Sequence, residues 1–216
     1  MLPVGLAVLT DLDGTLVDSR ASAEAAFRWW VECRGLDEGL LKRFPFGRKS
    51  NELVADLAPE LDSEAEGELL ERRQAQNTEG VVAVPGAGAL LREHRRLIIA
   101  TSGTRELARA RLGAAELPEP PLILTAEDWE RGKPDPEPYL MAAERLGAKP
   151  SECLVLEDSP PGVQSGVAAG IPVIAILTSY TRDELPGAAA YLPSLVDLAM
   201  TVTALGLGSC RSTTSA

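Results

Sequence analysis

The sequence predicts an α/β fold in which a parallel sheet carries helices on both faces and is interrupted by an all-helical insertion. Three observations carry this reading. Short runs rich in Val, Ile and Leu recur along the chain, as strands buried on both faces require. Segments with helical spacing lie between those runs, so strand and helix alternate. One stretch of about 65 residues contains no convincing strand and three helical patterns, by the element lengths expected for each. The chain has 216 residues, enough for one compact core plus such an insertion.

The first strand is expected over Val4 to Thr10, running directly into Asp11-Leu12-Asp13-Gly14-Thr15. Later strands are expected over Leu97 to Ala100, Leu122 to Thr125, Cys153 to Leu156 and Val173 to Leu177. Between them lie helices over Arg105 to Leu112, Pro136 to Leu146 and Pro161 to Ala169. The second has prolines in its first turn, where a missing N–H costs little. The third is stopped by Gly170 and Pro172. The insertion runs from Asp18 to Ala83. Its helices are expected over Ala21 to Cys33, Lys49 to Leu57 and Ser63 to Gln76, the last opening with Ser63 and Glu66 at capping-box spacing. Asp18 is placed to cap the first of them. Pro85 and Gly86 mark the return to the core. Of Trp29 and Trp30, one is expected to pack and the other to face the cleft or water. His94 lies in a basic helix end, Arg92 to Arg96, and is expected at the surface.

Composition bounds the partners. The 32 acidic and 21 basic residues give a formal charge of -11. A bulk nucleic-acid partner needs clustered Lys and Arg, and an anionic membrane surface needs the same, so both are excluded as expectations. No apolar run is long enough to span a bilayer, and no basic stretch followed by a long apolar one opens the chain. Cys33, Cys153 and Cys210 are widely separated and odd in number, neither a disulfide framework nor a zinc spacing. A reducing cytosol and a monomer or weak homo-oligomer are the expected setting. The last residues, Gly208 to Ala216, are small and polar and expected to fray.

Open α/β sheets bind ligands beyond the carboxyl ends of their strands. The first strand is followed by Asp11 and Asp13, the second by Thr101-Ser102-Gly103-Thr104, the third by a loop with Lys133-Pro134, and the fourth by Glu157-Asp158-Ser159. A nucleophilic carboxylate, a hydroxyl, an ammonium and an acidic pair thus reach one rim. Each alone has a bland alternative. Asp11 and Asp13 suit a capping turn, Thr101 or the Glu157-Asp158 pair a helix N-cap, and Lys133 a solvated loop. Together, in this order at successive strand ends, they form a strong signal for one functional site.

These residues carry a resemblance. Asp11 to Ser19, Ala100-Thr101-Ser102-Gly103, Gly132 to Tyr139, and Leu156-Glu157-Asp158-Ser159 with Gly162 and Gly170 resemble the haloacid dehalogenase-like superfamily in its small-helical-cap branch, from about residue 4 to residue 200. Within it, Thr101 to Arg105 and Lys133 to Leu140 look closest to sugar- and polyol-phosphate phosphatases, including the glycerol-phosphate and 2-deoxyglucose-6-phosphate phosphatases of fungi. The resemblance implies a Rossmann-like catalytic core over 1–17 and 84–216 and a helical cap over 18–83. It implies Asp11 as nucleophile and Asp13 as acid and base. Mg²⁺ would be held by Asp11, the Asp13 carbonyl and Asp158, with Glu157 beside it or behind it. Thr101 would bind a phosphoryl oxygen, aided by the N–H groups of Ser102 and Leu12, and Lys133 would supply a cation to the same oxygens. The substrate implied is a small phosphorylated sugar or polyol.

Two departures bear on specificity. Sugar-phosphate mutases of this superfamily carry a histidine early in the first cap helix; the corresponding position is near Ala23, and the cap has no histidine. That favours water as acceptor, although a mutase and a non-enzymatic phosphate-binding protein remain the competing readings. Fungal polyol-phosphatase caps carry a His-Gly-x-Arg-Thr-like segment where this chain reads Phe46-Gly47-Arg48-Lys49-Ser50. Arg48 and Lys49 are either contacts to substrate or a solvated basic helix start.

Overall fold

The computed structural model describes residues 1–43 and 47–207. Phe46, Cys210 and the Gly208 to Ala216 tail lie outside them. Six strands form one parallel sheet: β1 (Ala7–Thr10), β4 (Leu97–Ala100), β5 (Ile123–Leu124), β6 (Cys153–Glu157), β7 (Val173–Ile176) and β8 (Ala190–Leu192). Their order is β5-β4-β1-β6-β7-β8, and every neighbouring pair is parallel. Strands β2 (Val17–Asp18) and β3 (Val82–Ala83) form a separate antiparallel ribbon in which Val17 pairs with Ala83.

Successive strand residues face opposite sides, and the core divides accordingly. Val8, Ile99, Leu154, Leu156, Ile174 and Ile176 join one apolar cluster, while Ala7, Leu9, Ile98, Val155, Val173 and Ala175 join another. The first is covered by α4 (Ala87–Glu93), α5 (Arg105–Ala114) and α8 (Leu198–Ala204). The second is covered by α6 (Glu137–Arg145) and α7 (Pro160–Ala168). Each fully buried aliphatic side chain contributes about 1.5–3 kcal/mol, so apolar strands without alternation are stable only between two helical layers.

Between β2 and β3 lie α1 (Arg20–Arg34), a short 3₁₀ turn over Glu38–Arg43, α2 (Ser50–Leu57) and α3 (Ser63–Gln76). They share a third cluster built on Phe27, Trp30, Leu53, Val54 and Leu70. Trp30 is the packed member of the tryptophan pair: it is fully buried, stacks on Phe27 at 5.6 Å and donates its indole N–H to Glu66 at 2.6 Å. Trp29 is half-buried, with the Arg73 guanidinium 5.0 Å from its ring.

Several expectations shift. The first strand begins at Ala7; Val4 is 92 % exposed. The N-cap of α3 is Asp62, whose carboxylate accepts from Ala65 N–H at 3.2 Å, so the Ser63–Glu66 box does not form. Asp18 accepts from Arg20 N–H at 3.3 Å and forks onto the Arg20 guanidinium, while Ser19 occupies the N-cap position of α1. His94 ends α4 half-buried, its Nε2 2.9 Å from the Leu6 carbonyl. No described helix is long and apolar enough to cross a membrane.

Candidate active site

Strand β1 lies between β4 and β6, where the chain leaves the sheet in both directions, and the carboxyl end there is a natural ligand crevice. Asp11 sits at that end, 4 % exposed. After it, the Leu12 carbonyl accepts from Leu16 and Val17 N–H at 2.9 and 3.0 Å, folding the chain back as a tight turn. The Leu12 side chain is buried in the core. Gly14 makes the turn: its φ is +82°, and an added Cβ would lie 1.8 Å from Asp158 Oδ2. Only glycine combines that backbone with that approach.

Lys133 joins the motifs. Its side chain is fully buried, and its ammonium donates to Asp11 Oδ1 at 2.6 Å and Glu157 Oε1 at 2.7 Å. Tyr139 OH donates to the same Glu157 oxygen at 2.9 Å, and its ring lies 5.0 Å from the Lys133 nitrogen. Glu157 Oε2 accepts from the N–H of Asp158, the N–H of Ser159 and the Ser159 hydroxyl at 2.8–2.9 Å. Both Glu157 oxygens are therefore engaged by the protein. Gly162 leaves room for that carboxylate, since a Cβ there would lie 1.7 Å from Oε1.

The electrostatics follow from burial. Burial alone pulls the Lys133 ammonium down, but Asp11 and Glu157 outweigh it and hold it above the usual lysine range. Glu157 resists burial because Lys133 faces it, and its carboxyl sits below its ordinary value. Burial pushes Asp11 up to about 8 against the opposing Lys133 charge. Asp158 is pushed well up by burial and by the charges of Glu157 and Asp11. One ammonium does not balance three carboxylates. Asp11, Glu157 and Asp158 offer oxygens all within 4.8 Å of one another, and Asp158 Oδ2 is buried with no hydrogen-bond partner. An all-oxygen set with an orphaned carboxylate oxygen fits a divalent cation.

Above Asp11 is a cavity of about 70 Å³ lined from the sheet rim by Asp11, Asp13, Thr101 and Ser102, and from the insertion by Arg48, Ser50, Glu71 and Gln74 among others. Asp13 Oδ1 accepts from the Ser19 hydroxyl at 2.6 Å and lies 3.0 Å from Arg111 Nε. Ser102 donates its hydroxyl to the Gly47 carbonyl at 2.9 Å. Arg48 pairs with Asp56 at 2.5 Å while lining the cavity. Lys49 is not brought to it. Its ammonium donates to the carbonyls of Ala126 and Trp129, both at 3.0 Å, and so ties the insertion to the core. A larger groove of about 630 Å³, lined by Leu2, Leu90, Val196 and Ala199, contains none of the motif residues.

The bland alternatives are taken by other residues. Thr104, not Thr101, caps α5, accepting from Leu107 N–H at 3.4 Å. Ser159, not Glu157 or Asp158, caps α7, accepting from Gly162 N–H at 3.2 Å. Lys133 is buried rather than solvated. Four participants escaped sequence reasoning. Tyr139 stood inside a motif segment with no role assigned. Arg111, Glu71 and Gln74 look like ordinary helix-surface residues, and only the closure of the insertion over the sheet buries the first two and brings the half-buried Gln74 to the cavity.

Such a parallel sheet, with a buried aspartate, lysine and acidic pair at one rim and a helical insertion above, defines a hydrolase class: the chain belongs to the haloacid dehalogenase-like hydrolase family, whose model matches residues 6–170. Among its relatives, hexitol phosphatase A of Escherichia coli (strain K12) is 40 % identical, over 89 % of this chain and 93 % of that protein. Glycerol-1-phosphate phosphohydrolase 1 of Saccharomyces cerevisiae is 31 % identical, over 83 % of this chain and 77 % of its own length. A hydrolase from Pseudomonas syringae has a crystal structure with a TM-score of 0.81 at 27 % identity, covering 93 % of this chain and 99 % of that one.

Proposed function

We propose that this enzyme is a Mg²⁺-dependent phosphatase that hydrolyses a phosphate monoester of a small sugar or polyol through a phosphoryl group carried on Asp11. The reading rests above all on the buried Asp11–Lys133–Glu157–Asp158 cluster beneath a cavity that Asp13 and Thr101 also line. The names of the hexitol and glycerol-1-phosphate relatives support the substrate class. In this reading, residues 1–17 and 84–216 are the catalytic core and 18–83 the cap that selects substrate.

The Asp11 carboxylate attacks phosphorus while the ester P–O bond breaks, and Asp13 gives its proton to the departing alkoxide. Water then attacks the aspartyl-phosphate, losing its proton to Asp13. Inorganic phosphate leaves and both carboxyls return to their starting states. The hydroxyl of Thr101 and the N–H groups of Leu12 and Ser102 bind the phosphoryl oxygens, and Lys133 stabilises the charge on them. Arg48 is the cavity-lining cation nearest in kind to a substrate contact. Asp11, Asp158 and the Asp13 carbonyl, with Glu157 behind them, would hold Mg²⁺, which would lower the repulsion between an anionic nucleophile and an anionic substrate. The free state of Cys33 and Cys153 supports a cytosolic setting.

The test is a phosphate-release screen with Mg²⁺ over sugar, polyol and nucleotide monophosphates. Release from a sugar or polyol phosphate, stopped by chelator, is the expected result. Isomerised product without free phosphate would assign a mutase, and undiminished release in chelator would remove the metal role.

A further inference from the structure

Helix α5 carries Arg105, Arg109 and Arg111. The first two pair with Asp128 and Glu119 near the surface, at 3.0 and 3.3 Å. Arg111 is wholly buried. Its Nη1 donates to the Ser22 hydroxyl of α1 at 2.7 Å and its Nη2 to Gln74 Oε1 of α3 at 2.9 Å. Ser22 in turn donates to the Asn77 carbonyl at the end of α3, at 2.5 Å. The remaining nitrogen, Nε, stands 3.0 Å from Asp13 Oδ1, off the line of a good hydrogen bond. One guanidinium thus touches two helices of the insertion and the catalytic loop, while lying outside the residues that line the cavity.

Burying a guanidinium is costly, and an apolar side chain of similar volume commonly serves stability as well or better. The planar fork of arginine, however, fixes several partners at once in a way no apolar group can. We propose that Arg111 is a positioning residue that ties the Asp13 carboxylate to the helical insertion, so that Asp13 is held in place only while the insertion is seated on the core. Ser19 gives that carboxylate its hydrogen-bond direction at 2.6 Å, and Arg111 supplies charge and links it to Ser22 and Gln74. If the insertion lifts, those two partners leave with it and the hold on Asp13 loosens. The kinetic part of this proposal rests on the reading of Asp13 as acid and base; the structural part does not.

The experiment pairs steady-state kinetics on the substrate found by the screen with crystal structures of Arg111→Met and Arg111→Lys. A misplaced catalytic group costs up to about a hundredfold, so Arg111→Met is expected to lose about ten- to a hundredfold in kcat with KM within about threefold. Arg111→Lys, which keeps the charge but cannot span three partners, falls between that variant and wild type. Ser22→Ala lowers kcat in the same direction by a smaller factor. In the crystal structures the Asp13 side chain moves away from Ser19. A wild-type kcat in Arg111→Lys, a rise in KM with kcat unchanged, or an unmoved Asp13 would overturn the proposal. If Arg111→Met does not fold, Arg111→Lys decides by the same readouts. If wild type releases no phosphate from any monoester, the functional reading fails, and the position of Asp13 in the variants still decides on Arg111.

Discussion

Lys133 and its carboxylates are stable inside the protein only as a set. With the ammonium 2.6 and 2.7 Å from Asp11 and Glu157 and none of its side chain exposed, removing it strands two buried acids. Breaking a buried pair in this way costs about 3–5 kcal/mol. Lys133→Met is expected to lose stability of that order at neutral pH in a urea melt, and to lose phosphate release in the same preparation. Gly14 makes a second prediction. At φ +82° with Asp158 Oδ2 in the space a Cβ would fill, Gly14→Ala must displace Asp158 or the turn. Its expected signature is weakened Mg²⁺ binding by calorimetry, and wild-type affinity would refute the link between the turn and the acidic cluster. Lys133 was singled out in the sequence, because its loop follows a strand end, whereas Gly14 stood inside a motif with no role assigned. Arg111 was not singled out, since nothing within α5 separates it from Arg109, and its three partners lie far away in the chain.

The helical insertion is held together by its own apolar cluster and fastened to the sheet by polar contacts. Trp30 is the largest side chain in that cluster, and Trp30→Ala is expected to cost about 3–5 kcal/mol, read by denaturant unfolding. Fastening comes from Lys49 to the Ala126 and Trp129 carbonyls and from Glu71, which accepts from Thr104 N–H at 2.6 Å. Burial pushes the Glu71 carboxyl above its ordinary value. The unfolded chain therefore ionises there first as pH rises. Stability associated with Glu71 is full below the ordinary glutamate range and is lost as pH climbs through the raised folded value. Glu71→Gln is expected to flatten the fall of melting temperature across that window; parallel profiles for the two proteins would show that Glu71 does not ionise there. The helices of the insertion were readable from their spacing. The ribbon of β2 and β3 was not, because two residues per strand give no period, and β8 was missed because three residues at a sheet edge resemble a loop.

At the scale of the whole molecule, a charge of -11 suggests a poor home for a phosphate ester. Neither part relieves it: the insertion holds 14 acids and 9 bases, and the core 18 and 12. The structure resolves the conflict locally. Asp11, Glu157 and Asp158 converge on one rim with Lys133 among them, and a divalent cation held there would turn their excess charge into a site for an anion. The layer order and the rim were foreseeable, because buried strands and strand-end motifs are local patterns. The cavity wall was not, because it forms only where the insertion meets the sheet, and Lys49, by sequence either a substrate contact or a solvated cation, is used there to fasten the two. The central claim is that Asp11 carries the phosphoryl group. The most direct measurement is phosphate release by Asp11→Asn beside wild type, with circular dichroism and melting temperature taken on both. A folded variant whose turnover has fallen at least about a thousandfold, as loss of a nucleophile commonly produces, is the predicted result; a folded variant that still releases phosphate at near the wild-type rate would contradict it.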